Sequence, residues 1–337
     1  MRTVAGIDSH KDTLAVAIVD QRGRQQHACT VVNSPEGFVR LTAHLVEHDV
    51  DVVGIEGSGG YGRPVALHLQ RQAVTVVEVP PQMTAGSRRG QRSNAKTDQI
   101  DALLIARIVL REPQLPLPRP DDAREDIRVL VRYRRELLKE RNRFSNRLHA
   151  DLEQLHPGYQ QRIGRLTTAR NLDRARRLLA GDATPRALVA RSRVTRLKQL
   201  TGEIDTLTDD IRQRGRALDR SLVTIPGIAE LTAAELLAEV GDISRFRTRN
   251  QFAMANGTAP VPVSSGRTDR HRLNRGGNRQ LNRIIHFIAL TQASRDPAGR
   301  AYYQRKQADG KTKREALRCL KRRISDRIYR TLTAAAT

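Results

Sequence analysis

Apolar positions in the first 112 residues come in short runs. TVAGID at 3–8 and TLAVAIVD at 13–20 are two β-rich runs, and the polar stretch Ser9–Asp12 between them predicts a turn. HACTVVN at 27–33 predicts a third strand. Residues 35–48, entered at SPEG, repeat Phe38, Leu41 and Leu45 on one helical face. VDVVGIE at 50–56 is continuous enough to predict a buried strand. GRPVALHLQRQ then predicts a helix, VTVVEVP a strand, and Thr97 to Arg111 another helix. The order β-β-β-α-β-α-β-α predicts a three-strand meander followed by crossover units, in a sheet of mixed strand directions.

The proline-rich stretch REPQLPLPRP at 111–120 reads as a linker, and the period becomes helical after it. Leu130, Leu137 and Phe144 are spaced by seven, Leu148, Leu152 and Leu155 continue the stripe, and HPGY at 156–159 breaks it. A second stripe runs Leu197, Leu200, Ile204, Leu207, Ile211 and Leu218. This pattern fits a coiled-coil arm, with a seam open to self-association, and equally a helical hairpin packed on itself. LVTIPGIAELTAAELLAEVGD then predicts helix, tight turn at Pro226–Gly227, helix. Such a helix-hairpin-helix-like element can offer free backbone amides to a phosphate. The expected division is an α/β domain over 1–115, a helical arm over 116–220 and a helical C-terminal domain over 221–337.

Charge changes the picture. The chain has 337 residues, with 60 Lys+Arg against 36 Asp+Glu, a formal net charge of +24. The excess recurs in every segment and is mostly arginine, which favours a phosphate-rich partner. Aromatics are only 3 %, so base stacking is not the main mode of contact. The two cysteines, Cys29 and Cys319, are far apart and fit no metal-ligand spacing in sequence. Asp8 interrupts any signal-peptide core, and no run of about 18 apolar residues occurs, so a cytoplasmic protein with no membrane partner is expected.

Against this basic background four carboxylates stand out. Asp8 ends the first apolar run, Glu56 ends the buried strand, and Asp98 and Asp101 lie three apart at the start of an amphipathic helix. A ribonuclease-H-type sheet gathers acids around a metal in this way. Clustered carboxylates repel one another unless a cation neutralises them, and oxygen ligands select Mg²⁺ or Mn²⁺. A second group lies near the C-terminus. Ser264 and Ser265 precede Gly266 in a proline-containing loop, followed by Arg267, Arg270, Arg272, Arg275 and Arg279. A serine there is a candidate nucleophile toward phosphate; spacing alone does not separate Ser264 from Ser265. His271 and His286 are lone candidates for a base. Candidate nucleic-acid contacts are Arg89, Arg92, Lys96, Gly227, Arg267, Arg272, Arg275 and Arg279.

The blocks GIDSHKDT, GIEGSGGYGRPVALHL, AKTDQIDALLIAR, IPGIAELTAAELLAEVGD and GTAPVPVSSG…GGNRQLNRII occur in this order. Together they resemble the DEDD transposases of bacterial insertion sequences, the family numbered one-hundred-and-ten. The resemblance covers nearly the whole chain except the central arm. It implies a RuvC-like N-terminal domain, a coiled-coil insertion and a C-terminal transposase domain. It implies that Asp8, Glu56, Asp98 and Asp101 are the four metal-binding catalytic acids and that Ser265, directly before the glycine, is the nucleophile joined to a DNA end. It also implies donor and target DNA as substrates and an element-encoded noncoding RNA that reads sequence by base pairing; a homo-oligomer, a dimer or higher, is expected from the apolar seam at Leu197–Ile211. One departure is Asn282, where a basic residue is common; Arg279 and Arg283 are nearby. Two rival readings stay open: a metal-dependent Holliday-junction resolvase, which needs the acids but not Ser265, and a non-catalytic nucleic-acid-binding protein.

Overall fold

The computed structural model describes residues 3–81, 83–84, 97–118, 122–265, 268–274 and 276–336. Two compact units divide it, 1–121 and 122–337.

The first unit is built on a five-stranded sheet. Its strands are β1 (Thr3–Ser9), β2 (Thr13–Val19), β3 (Gln25–Val32), β4 (Val50–Glu56) and β5 (Thr75–Val79). They lie in the order β3-β2-β1-β4-β5. The first three form the expected antiparallel meander, and β1–β4 and β4–β5 are parallel. The helices are α1 (Pro35–Glu47), α2 (Arg63–Arg71) and α3 (Asp98–Arg111). This is the expected mixed α/β sheet, a three-strand meander followed by parallel crossover strands.

Strand alternation sorts the residues between two faces. Ala5, Ile7, Leu14, Val16 and Ile18 form one core with Phe38, Leu41 and Leu45 of α1 and Val65 and Leu69 of α2. Val4 and Val19 face the other way, onto Ile105, Ala106, Ile108 and Val109 of α3. Two glycines let α3 approach this second face. A Cβ on Gly6 would lie 2.1 Å from the Ala102 carbonyl oxygen, and one on Gly54 would lie 2.3 Å from a Val109 methyl. No side chain fits between sheet and helix at these points.

The second unit is helical around one small ribbon. Its longest helices are α4 (Ala123–Leu155) and α6 (Pro185–Leu218), with the shorter α5 (Ala169–Leu178) between them in sequence. Leu148 and Leu152 pack with Val194 and Leu197, Leu137 with Leu200 and Ile204, and Ile127 and Val131 with Ile211. The partners run in opposite senses, so the two helices are antiparallel. The expected stripe from Leu197 to Ile211 is therefore filled by the chain's own α4. Leu197, Leu200 and Ile211 are fully buried, and they offer no free seam to a second copy.

Next come α7 (Glu230–Val240), α8 (Arg249–Ala255), α9 (Arg279–Arg295), α10 (Pro297–Ala308) and α11 (Lys313–Ala336). They share a core that includes Leu237, Phe252, Ile285, Ile288 and Ile324. Two expectations change here. The first arm of the predicted helical hairpin is a single 3-10 turn, Ser221–Thr224, because α6 already ends at Leu218. The serine stretch is no loop: β6 (Pro260–Ser265) pairs with β7 (Thr268–Leu273) as an antiparallel ribbon. Prolines at 260 and 262 masked that strand, since proline is tolerated in a two-stranded ribbon where its missing N–H is not needed. Among the described residues, no helix is long and apolar enough to cross a membrane.

Candidate metal centre and nucleic-acid contacts

The parallel register of β1 and β4 sets Asp8 directly beside Glu56, at the carboxyl ends of both strands. The alternation that turns Gly6 and Gly54 toward α3 turns Asp8 and Glu56 to the same face. The α3 helix begins there. Thr97 caps it, its hydroxyl accepting from the Ile100 N–H at 3.3 Å, and Asp98 and Asp101 occupy the first turn. Carboxylates are favoured at this positive end of the helix. The close docking of α3 through Gly6 thus brings its acids to the ends of β1 and β4.

His10 completes the cluster. Its Nε2 lies 3.2 Å from an Asp8 oxygen and 3.2 Å from an Asp98 oxygen. Donor atoms of Asp8, His10 and Asp98 all lie within 4.8 Å of one another. Asp101 is only 3 % exposed. Burial pushes the Asp8 carboxyl above its ordinary range; His10 opposes this by charge and hydrogen bond, while the charges of Asp101 and Asp98 add to it. These acids therefore feel one another. The Ser9 hydroxyl donates to the Glu56 carbonyl at 2.8 Å, and the Asn33 amide donates to the carbonyls of His10 and Tyr61. These bonds tie together the turns that carry the site.

The donor set fits a divalent cation. The half-buried Asp8 and the exposed Asp98 converge with the His10 imidazole between them, and the Asp101 and Asp98 charges acting on Asp8 call for positive charge. Sequence reasoning missed His10. Its signal was available: it lies two residues after Asp8, in a turn that must stay beside the strand end.

The remaining candidates are spread over the second unit or lie outside the description. Arg89, Arg92, Lys96, Arg267 and Arg275 lie outside the described residues. Ser265 ends β6 opposite Thr268, Ser264 pairs with Asp269, and Arg272 lies on β7 opposite Val261. Arg279 is exposed at the first position of α9, and His286 lies in the same helix. Gly227 has a left-handed φ of 82° in an exposed turn. The Pro226 carbonyl beside it accepts from Gln292 of α9 at 2.7 Å. The helix that follows, α7, has no side-chain cap, so its first amides stay available to an anion. Asn282 holds a cation after all: Lys321 of α11 donates to its Oδ1 at 2.6 Å.

A transposase family model of the DEDD, IS110 type matches residues 5–157, and a model described as transposase IS116/IS110/IS902 family matches 219–304. Among curated proteins, the chain is 31 % identical to the insertion element IS900 42 kDa protein of Mycobacterium paratuberculosis, over 95 % of this chain and 92 % of that one. It is 26 % identical to the insertion element IS116 44.8 kDa protein of Streptomyces clavuligerus, over 98 % and 94 %. It is 31 % identical to the insertion element IS110 43.6 kDa protein of Streptomyces coelicolor, over 68 % and 69 %. Among solved structures, Thermus thermophilus RuvC matches with a TM-score of 0.28 and 19 % identity, over 34 % of this chain and 98 % of that one.

Proposed function

The chain belongs to the IS116/IS110/IS902 family of transposases, and on that premise we propose that it is a site-specific DNA recombinase of an insertion sequence, guided by an RNA from the element and working through a serine-phosphate link. The observation that carries the reading is the meeting of Asp8, Asp98 and Asp101 at the end of β1, with Glu56 in register beside them.

In this reading Asp8, Glu56, Asp98 and Asp101 hold Mg²⁺ or Mn²⁺. When bound, such an ion polarises a phosphate and stabilises charge on the reacting oxygens. Burial of Asp8 and the neighbouring Asp101 and Asp98 charges leave a site that a cation would neutralise. Ser265 is the nucleophile. A serine hydroxyl is weak at neutral pH, so it needs an activated electrophile and a proton acceptor. Its Oγ forms a bond to phosphorus as a phosphorus–sugar oxygen bond breaks, and the departing oxygen takes up the proton. Arg272 and Arg279, with Arg89, Arg92, Lys96, Arg267 and Arg275, contact backbone phosphate, and the amides after Gly227 contribute as an anion site. The net charge of +24 supports broad phosphate contact, with sequence read by pairing in the RNA. The division into catalytic domain, arm and transposase domain at 115 and 220 belongs to the same proposal. Assembly as a homo-oligomer is part of it too, through a surface other than the filled α4–α6 seam.

The test is a covalent adduct. Full-length protein, element RNA and end-labelled DNA are mixed with Mg²⁺, denatured and digested, and the labelled peptide is mapped. The adduct should fall on Ser265, vanish in S265A, persist in S264A, and require Asp8 and Asp101. Normal cleavage by S265A with no adduct would replace this reading by the resolvase one, in which water attacks.

A further inference from the structure

The sheet face opposite the carboxylates carries a second set of ligand groups. His27 and Cys29 lie two apart on the edge strand β3, so both leave the same face. They pair with Ile18 and Val16, which point into the core under α1 and α2. His44 reaches the same place from the last turn of α1. Donor atoms of His27, Cys29 and His44 all lie within 4.8 Å of one another. His48, one helical turn beyond His44, stacks on His27 with ring centroids 4.8 Å apart, and His44 stacks on it at 5.2 Å.

Two details argue against a merely packed histidine cluster. The His27 Nε2 is buried with no hydrogen-bond partner, a costly condition for a polar nitrogen. The Glu47 carboxylate lies 3.7 Å from the His44 Nδ1, and a carboxylate beside one ring nitrogen is a common arrangement around histidine that holds a metal through the other. The donor chemistry differs from that of the carboxylate cluster. Two imidazoles and a thiol are borderline-soft ligands, suited to Zn²⁺ and poorly suited to Mg²⁺.

We propose that His27, Cys29 and His44 form a zinc site that ties the edge strand β3 to α1, with the fourth position left to His48 or water. Bond lengths of about 2.0–2.1 Å to nitrogen and about 2.3 Å to sulfur draw the three donors slightly closer than they now lie, a movement within reach of side-chain rotation. Binding a cation only in the folded state stabilises the unit by mass action. The site stands independently of the recombinase reading, since it lies on the other sheet face and uses none of the same residues.

Cobalt is the probe, because a thiolate ligand gives Co²⁺ a charge-transfer absorption that carboxylates and imidazoles do not. Metal-free full-length protein should bind one equivalent of Co²⁺ with that absorption, and Zn²⁺ should displace it. C29S should abolish the band, and H27A and H44A should weaken Co²⁺ binding at least tenfold. C319S and D101N should keep it. Zn²⁺ should also raise the thermal midpoint of wild type and leave that of H44A unmoved. H44A is the second variant because it alters a helix residue rather than the edge strand, and circular dichroism checks that each variant is folded. Absence of the thiolate band at stoichiometric Co²⁺, its survival in C29S, or its loss in C319S overturns the proposal.

Discussion

Gly6→Ala isolates the packing that assembles the carboxylates. The added Cβ would lie 2.1 Å from the Ala102 carbonyl oxygen, 2.4 Å from the Ala106 nitrogen and 3.0 Å from the Ile105 Cβ. Two of these are backbone atoms, so no rotamer change relieves the clash. Restoring an ordinary contact of about 3.4 Å to the Ala102 oxygen requires α3 to retreat by about 1.3 Å. Overpacking a core costs about 1–3 kcal/mol, and a rigid backbone wall puts this case at the upper end, about 3 kcal/mol. The retreat also carries Asp98 and Asp101 away from Asp8. Metal ligands tolerate only about 0.2 Å of displacement, and a misplacement of about 1 Å costs on the order of 100-fold in rate. Urea denaturation followed by circular dichroism should show the stability loss, and Mg²⁺-dependent DNA cleavage should fall about 100-fold. Gly60→Ala is the control, because its Cβ would meet nothing nearer than the Gly57 oxygen at 3.6 Å. A G6A protein within about 1 kcal/mol of wild type, cleaving normally, would refute the link between glycine docking and site assembly.

Two further outcomes follow from single side chains. Thr97→Ala removes the cap of α3 and should cost about 1 kcal/mol in denaturant unfolding, with Thr97→Ser restoring most of it. Lys321 is 6 % exposed, and burial, helped by the nearby Arg318 charge, pushes its pKa down to about 8. An unfolded lysine holds its proton to about pH 10.4, so between these values the unfolded state binds more protons and folding gains stability as pH rises. The stability of wild type relative to Lys321→Met should therefore move in favour of wild type, by about 2–3 kcal/mol, between pH 7 and about pH 10. A difference that stays flat across that range would show that the Lys321 ammonium is not desolvated.

The sheet was legible because its strands are continuous apolar runs bounded by polar turns, and each predicted run became a strand within one or two residues of its expected ends. The carboxylates were legible for a related reason: an acid at the end of a buried run has few structural uses. Long-range partners were not legible. The stripe from Leu197 to Ile211 has the same period whether it meets a second copy or α4 of its own chain, and only the structure supplies the partner. The β6–β7 ribbon was hidden by Pro260 and Pro262, which lower strand propensity without forbidding a two-stranded pairing.

Gly6 and His10 show where local pattern reading stops. Within TVAGID a glycine is only a small residue in a strand, and periodicity says nothing about a helix that arrives ninety or so residues later to lie on it. His10 looks like one polar residue among several in a turn, yet it faces Asp98 as closely as Asp8. Its place follows from two constraints read together: β1 must end at Ser9 for Asp8 to sit beside Glu56, and α3 must start at the same sheet end for its first turn to complete the acids. His10, the first residue of the β1–β2 turn, then lies against both acids. An imidazole suits that position because its N–H can donate to either carboxylate, and as a small ring on an exposed turn it can swing aside for a harder cation. His10→Ala should accordingly keep the fold and the acids in place while changing the divalent-ion concentration needed for cleavage, and an unchanged ion dependence would mean that His10 takes no part in the site.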